Sequence, residues 1–398
     1  MNKELLYLDN AATTALRPEA LEAMMPYLKE SYGNPSGVYR FARSVRKDIE
    51  EARERMAKAI GAKASEIVFT GSGTEANNWA IRGTAEALRD KTSCHCVGRH
   101  VITAAVEHHA VTHVCQELAR LGAEVTYLPV DDMGFVSPDD FLQAIRPETV
   151  LASIMWANNE IGTIQPIAAL SEIARDKGII FHTDAVQAVG HIPVDMSAFA
   201  GVDLLTLSAH KFGGPKGVGA LFVRKGTKLT PFMYGGAQEK NRRAGTENVA
   251  GIIGMAAALD CAMAEREAEY ERISAIRDEL IARINETIPH VSLNGPLGNS
   301  RLPGNVNFSF DYVEGESLLL LLDMKGCCAS SGSACSSASL EPSHVLMALG
   351  LAHEKAHGSI RFSLGRDNTK EDIDRLMEIL PAVVAQLRAA SPLAEGDV

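Results

Sequence analysis

The stretch Leu204-Leu205-Thr206-Leu207-Ser208-Ala209-His210-Lys211 passes from an apolar run straight into a polar tetrad. A run of this length reads as a buried strand, and strands covered by helices on both faces carry such near-continuous apolar sequence. In open sheets of that kind ligands bind outside the carboxyl ends of the strands, which is where Ser208, His210 and Lys211 fall. Working outward, six further runs share the pattern: Glu66-Ile67-Val68-Phe69-Thr70, His100-Val101-Ile102-Thr103, Glu124-Val125-Thr126-Tyr127-Leu128, Leu151-Ala152-Ser153-Ile154-Met155, Gly178-Ile179-Ile180-Phe181-His182 and Gly219-Ala220-Leu221-Phe222-Val223. Helical segments at 110–121 and 167–177 lie between them with the spacing of crossover helices. The expectation is an α/β fold built on a mostly parallel, seven-stranded sheet. Thr74, Asn159, Asp184 and Ser208 each come just after one of the runs.

The chain has 398 residues, of which 46% are hydrophobic, and that length calls for two domains. The large one is expected over 16–262. The smaller, of α+β type, is expected to combine 1–15 with 263–398 and to carry a small-residue loop at 329–339. The boundary near Ala262 falls on a long charged helix at 255–286, after which strand pattern resumes at Val306-Asn307-Phe308. A formal net charge of −11 argues against nucleic acid as a partner. The N-terminus lacks the apolar core of a secretion signal and no apolar run is long enough to cross a bilayer, so a cytoplasmic protein without membrane contact is expected. Seven irregularly spaced cysteines do not make a disulfide framework.

The chemistry gathers around Lys211. A lysine attacks carbonyls only as the neutral amine, so a useful one sits where burial or neighbouring cations favour that form. His210 and Ser208 flank it; a surface lysine before a glycine turn is the plainer alternative. Gly71-Ser72-Gly73-Thr74-Glu75-Ala76 follows a strand and opens a helix, which makes a phosphate cup of its backbone N–H groups and the Thr74 hydroxyl. The same residues match a loose dinucleotide loop, but the acid expected about 20 residues on is not evident. Asp184 suits a protonated ring nitrogen, and Gln187, three residues later, suits a phenolic oxygen on the same ring; capping of the next helix is the alternative for Asp184. Asn158-Asn159-Glu160 offers another donor, or simply a turn. His108 and His109 follow a strand and bring an imidazole for stacking and proton transfer. Arg361, in the apolar setting Ser359-Ile360-Arg361-Phe362-Ser363, has a carboxylate to hold, from a ligand or within the protein. Cys335 lies in a loop of small residues, where a thiol is exposed and nucleophilic chemistry gives it a reason. Cys327, Cys328, Cys115 and Cys261 read as packing residues. Cys94-His95-Cys96 has no second pair at ligand spacing, so no metal site is expected.

In this order the residues resemble the cysteine desulfurases of the NifS and IscS type, in the class V aminotransferase group of pyridoxal phosphate enzymes. The resemblance runs from Leu8-Asp9-Asn10-Ala11-Ala12-Thr13-Thr14 to Ser359-Ile360-Arg361-Phe362-Ser363-Leu364-Gly365-Arg366. It is most specific at Thr74-Glu75-Ala76-Asn77-Asn78, Asn158-Asn159-Glu160-Ile161-Gly162, His182-Thr183-Asp184-Ala185-Val186-Gln187, Ser208-Ala209-His210-Lys211 and Ser331-Gly332-Ser333-Ala334-Cys335. It implies the type I fold of pyridoxal phosphate transferases, with Lys211 holding the cofactor covalently and moving protons. It further implies Asp184 at the ring nitrogen, Gln187 and Asn159 at the phenolic oxygen, and His108 over the ring. Thr74 with the Gly73 backbone, Ser208, His210 and a Thr246 from the partner subunit would hold the phosphate, so a homodimer is expected. Arg361 would grip the substrate carboxylate with Asn34 nearby. Cys335 would take sulfur from L-cysteine as a persulfide, leaving L-alanine, and pass it to an iron–sulfur scaffold, a tRNA thiolation protein or another acceptor; transient cluster ligation by Cys335 is compatible with that role. The sequence ends at Asp397-Val398 without the aromatic and histidine tail of scaffold-docking members, which is nearer the NifS side. A selenocysteine lyase of the same fold, an aminotransferase, a dinucleotide-dependent dehydrogenase on 71–76 and a metal-binding module on Cys94, His95 and Cys96 are the competing readings; transamination needs no thiol.

Overall fold

The computed structural model describes residues 5–89, 100–331 and 342–391. The chain enters with β1 (Leu6–Tyr7), whose partner lies far downstream. Seven apolar runs then form one sheet from β2 (Ile67–Thr70), β3 (His100–Ala104), β4 (Glu124–Leu128), β5 (Thr149–Ser153), β6 (Ile180–Asp184), β7 (Leu204–Ser208) and β8 (Gly219–Val223). Their order is β2-β8-β7-β6-β5-β3-β4, and only β8 runs against its neighbours. The mostly parallel sheet is therefore the one the sequence predicts. β7 and β8 are buried at every residue, whereas the edge strand β4 is exposed at Glu124 and Tyr127.

Strand ends differ from the sequence reading in a way that matters for the site. β5 begins at Thr149 rather than Leu151 and stops at Ser153, so Asn159 lies beyond a turn. Asp184 and Ser208 are the last residues of their strands rather than the first beyond them. Each is in register with a neighbouring strand, Asp184 with Thr206 and Ser208 with Gly219. That pairing fixes both side chains at the sheet edge.

The long helix spans Val249–Thr287, six residues earlier than the charge pattern suggests, because its first turns are apolar and buried from Ala250 to Leu259. Asn248 caps it, its Oδ1 accepting the N–H of Gly251 at 3.1 Å. Ala262 thus lies inside a helix whose first half joins the core around the sheet and whose second half, through Ile273, Leu280 and Ile284, joins another. This second core packs beneath β9 (Val291–Leu293), β10 (Asn305–Phe310) and β12 (Ser359–Ser363), an antiparallel sheet in the order β12-β10-β9. β11 (Cys327–Cys328) pairs in parallel with β1. Leu6, Leu8, Phe308, Phe310, Ile360 and Phe362 are buried here, and full burial of such side chains stabilises by about 1.5–3 kcal/mol each.

Cys115 and Cys327 are buried and Cys261 is partly exposed; Cys328 is also partly exposed, which corrects its reading as a buried residue. Cys94, His95, Cys96 and Cys335 lie outside the described residues. No helix among the described residues is long and apolar enough to cross a membrane.

Candidate active site

Three strand ends supply the centre. Asp184, 6% exposed, closes β6; its Oδ2 accepts the Asn77 amide at 2.6 Å and its Oδ1 the N–H of Val186 at 2.9 Å. His108 follows β3 and caps the helix His109–Arg120, its Nδ1 accepting the N–H of Ala110 at 3.1 Å. Burial lowers its pKa; Asp184 raises it, and the charge of Lys211 lowers it further. The imidazole is thus a neutral ring within electrostatic reach of both groups. Lys211 ends the short helical turn after β7, and its Nζ donates to the backbone oxygens of Ala11 and Ala12 at 2.6 and 2.7 Å.

A second set surrounds the first turn of the helix Gly73–Ala87, capped by Ser72 whose Oγ accepts the N–H of Glu75. Free N–H groups and the helix dipole favour an anion there. Gly73 faces Ser208: a β-carbon at 73 would lie 3.2 Å from Ser208 Cβ and 2.9 Å from Val186 Cγ2. Thr74 is exposed on the same turn. His210 lies near Thr13, with its Nδ1 3.2 Å from the threonine Oγ1, and burial aided by the charges of Lys211 and Lys216 brings its pKa down to about 4.

The segment Asn10–Thr14 crosses between these sets. Gln187 Nε2 donates to Ala11 O at 2.9 Å, and Thr14 Oγ1 donates to His210 O at 2.9 Å. Arg361, 2% exposed, is held within the protein: Nη2 pairs with Asp9 at 2.8 Å and Nη1 donates to Asn159 O at 2.9 Å. Its Nε is buried with no hydrogen-bond partner. Arg361 also exchanges backbone hydrogen bonds with Ser330, at the root of the segment that carries Cys335.

The fold brings together Lys211, Asp184, His108, Gly73, Ser208, His210 and Gln187, with Arg361 and Asn159 joined to each other. It does not bring Asn34 to Arg361 within one chain. Asn34 sits in an exposed turn, its Oδ1 accepting the N–H of Ser36, and its neighbours Pro35 and Ser36 line a cleft with Arg53 and Glu239. Thr246 is exposed on a loop tied by the Arg243–Glu75 ion pair to the same helix turn that holds Thr74.

The sequence reading passed over several neighbours. Asn77 and Asp9 orient Asp184 and Arg361. Glu107 is wholly buried beside His108, and Glu160, also buried, accepts the hydroxyl of Ser343. An acid next to a site residue at the end of an apolar run was the available signal for both glutamates.

The residues fit an aromatic aldehyde phosphate. A cradle without a β-carbon at Gly73 and an open helix N-terminus suit the phosphate. A carboxyl group held by two donors suits a ring nitrogen, a neutral imidazole suits the ring face, and the amine of Lys211 suits the aldehyde.

A family model described as aminotransferase class-V matches residues 6–376. A cysteine desulfurase IscS of Dictyoglomus turgidum is 58% identical over 390 residues, covering 98% of this chain and 97% of that one. One of Methanosarcina thermophila is 55% identical, covering 98% and 94%. Among solved structures, a NifS-like protein superposes with a TM-score of 0.89 at 35% identity, covering 96% of this chain and all of that one. A chain described as SspA in complex with cysteine gives 0.78 at 36% identity, covering 90% and 98%.

Proposed function

The chain belongs to the class-V aminotransferase family, and we propose that within it the protein works as a pyridoxal phosphate-dependent cysteine desulfurase, converting L-cysteine to L-alanine. The observation that carries this reading is that Lys211 Nζ and the Nε2 of Gln187, three residues past the strand end at Asp184, converge on the Ala11 oxygen, while the helix turn at Gly73 packs against Ser208. The relatives' names favour cysteine over selenocysteine as substrate.

When bound, pyridoxal phosphate supplies an electron sink that makes the substrate's Cα–H acidic. Thr74, the N–H of Gly73, Ser208 and His210 would hold its phosphate, Asp184 its ring nitrogen, Gln187 and Asn159 its phenolic oxygen, and His108 its face. Lys211 would hold the aldehyde and its amine would serve as the base for the Cα proton. Arg361 orients the substrate carboxylate. The thiolate of Cys335 forms an S–S bond with the substrate sulfur as the bond between that sulfur and Cβ breaks, the electron pair staying with carbon, which takes a proton to become alanine. His108, held neutral, accepts the Cys335 thiol proton.

A homodimer completes this site. Tyr32 and Val38 are 76% and 85% exposed, and Tyr39 and Phe41 are exposed beside them, an apolar surface of the kind that marks association. Asn34 and Thr246, both exposed, would act in the partner's site. Sulfur leaves on Cys335 for an acceptor protein, of which an iron–sulfur scaffold in the cytoplasm is the one we expect. Lys211→Ala tests the reading: the purified variant should lose the visible absorbance of bound cofactor and all alanine formation. Full activity in that variant would refute it.

A further inference from the structure

Glu107 precedes His108 and is 0% exposed. Its Oε1 accepts the N–H of Met155 at 2.7 Å, and its Oε2, equally buried, has no hydrogen-bond partner. Among the described residues no lysine or arginine pairs with it. The titratable groups that face it are Asp184 at the end of β6, Cys115 on the helix His109–Arg120, its own neighbour His108, and His344, which bonds the Glu107 backbone oxygen at 2.9 Å.

Leaving a carboxylate in such a place without a cation costs several kcal/mol, so the group keeps its proton instead. Burial raises its pKa well above the usual range, the Met155 amide opposes this weakly, and the charge of Asp184 adds to it. The two acids divide their roles by hydrogen bonding. Asp184 receives two donors, whereas Glu107 receives one and its second oxygen none.

We propose that Glu107 is a positioning residue for the reaction, a buried acid whose Oε1 holds the Met155 N–H next to the residue that bonds the strand end carrying Asp184. The proposal rests on the cofactor reading given above for Asp184. Met155 and Trp156 make the link in backbone terms, since the N–H of Met155 goes to Glu107 and that of Trp156 to the Asp184 backbone oxygen at 2.8 Å.

Thermal melts of cofactor-free wild type and Glu107→Gln between pH 5 and 8.5 test the protonation. With its native pKa raised, the folded state binds more protons than the unfolded one above the ordinary carboxyl range, so wild-type stability drains as pH rises. Glu107→Gln escapes this, and its Tm should overtake that of wild type by a growing margin toward pH 8.5. A wild-type advantage that grows with pH would mean an ionised, partnered Glu107 and overturn the proposal. Pyridoxal phosphate titration tests the positioning. Glu107→Gln should bind within about threefold of wild type, and Glu107→Leu, which leaves the Met155 N–H without an acceptor, about tenfold or more weakly. Wild-type affinity in Glu107→Leu would also overturn it. A wild type that takes up no cofactor would instead sink the functional reading and leave the melts interpretable.

Discussion

Gly73 shows how little room the helix turn beside Ser208 allows. A methyl group there would press on Val186 Cγ2 at 2.9 Å and on Ser208 Cβ at 3.2 Å, and overpacking of that order costs about 1–3 kcal/mol. Gly73→Ala is therefore expected to fold but to bind pyridoxal phosphate about tenfold more weakly, read by titrating the cofactor-free protein. Unchanged affinity would place the phosphate elsewhere. At this scale the sequence was most legible where polarity changes abruptly. Asp184, Ser208 and Lys211 stand out because apolar runs stop at them. Asn77 and Glu107 did not stand out, since one lies on a helix whose buried face is not marked by its residue types and the other looks like an ordinary surface acid. The partner of Arg361 was illegible for a different reason: Asp9 is 352 positions away, and only the pairing of β1 and β12 regions with the rest of the second core brings them together.

The elements repeat this pattern. Seven strands were readable from their apolar runs, but their ends were not, because backbone pairing carries Asp184 and Ser208 into the strands. The start of the helix Val249–Thr287 was hidden for the opposite reason: helices buried all round lose the periodicity that marks them. The loop before that helix is fixed by a buried ion pair. Arg53 reaches Glu239 through two bonds of 2.6 and 2.7 Å, and Glu239 also accepts the N–H of Phe69 at 3.1 Å. Glu239, Lys240 and Asn241 all adopt positive φ there, a conformation that the surroundings must hold. Removing one partner leaves an uncompensated buried charge, so Arg53→Met should cost about 3–5 kcal/mol in urea unfolding. Combining it with Glu239→Leu should recover much of the loss. A cost of about 1 kcal/mol or less for the single change would mean that the pair behaves as a solvated one.

At the scale of the whole molecule, the two cores share one long helix, and the site draws on both: Lys211, Asp184 and His108 from the sheet, Arg361 from the second core, and Asn10–Thr14 between them. Two exposed residues, Asn34 and Thr246, are the ones the proposed dimer would bring to a partner's site. Mixing tests this. Lys211→Ala and Thr246→Ala chains, each poorly active alone, should regain activity when refolded or expressed together, because a mixed dimer contains one site with both a native lysine and a native threonine. A mixture no more active than the sum of its parents would confine each site to one chain.

The division of labour between a cofactor-bearing lysine and a sulfur-collecting thiol is tested most directly by mass. After a single turnover with L-cysteine, the peptide containing Cys335 should gain one sulfur atom for each alanine formed, and Cys335→Ala should keep its cofactor absorbance while gaining none. Alanine released at the wild-type rate by Cys335→Ala, or the extra sulfur found on another cysteine, would contradict the account.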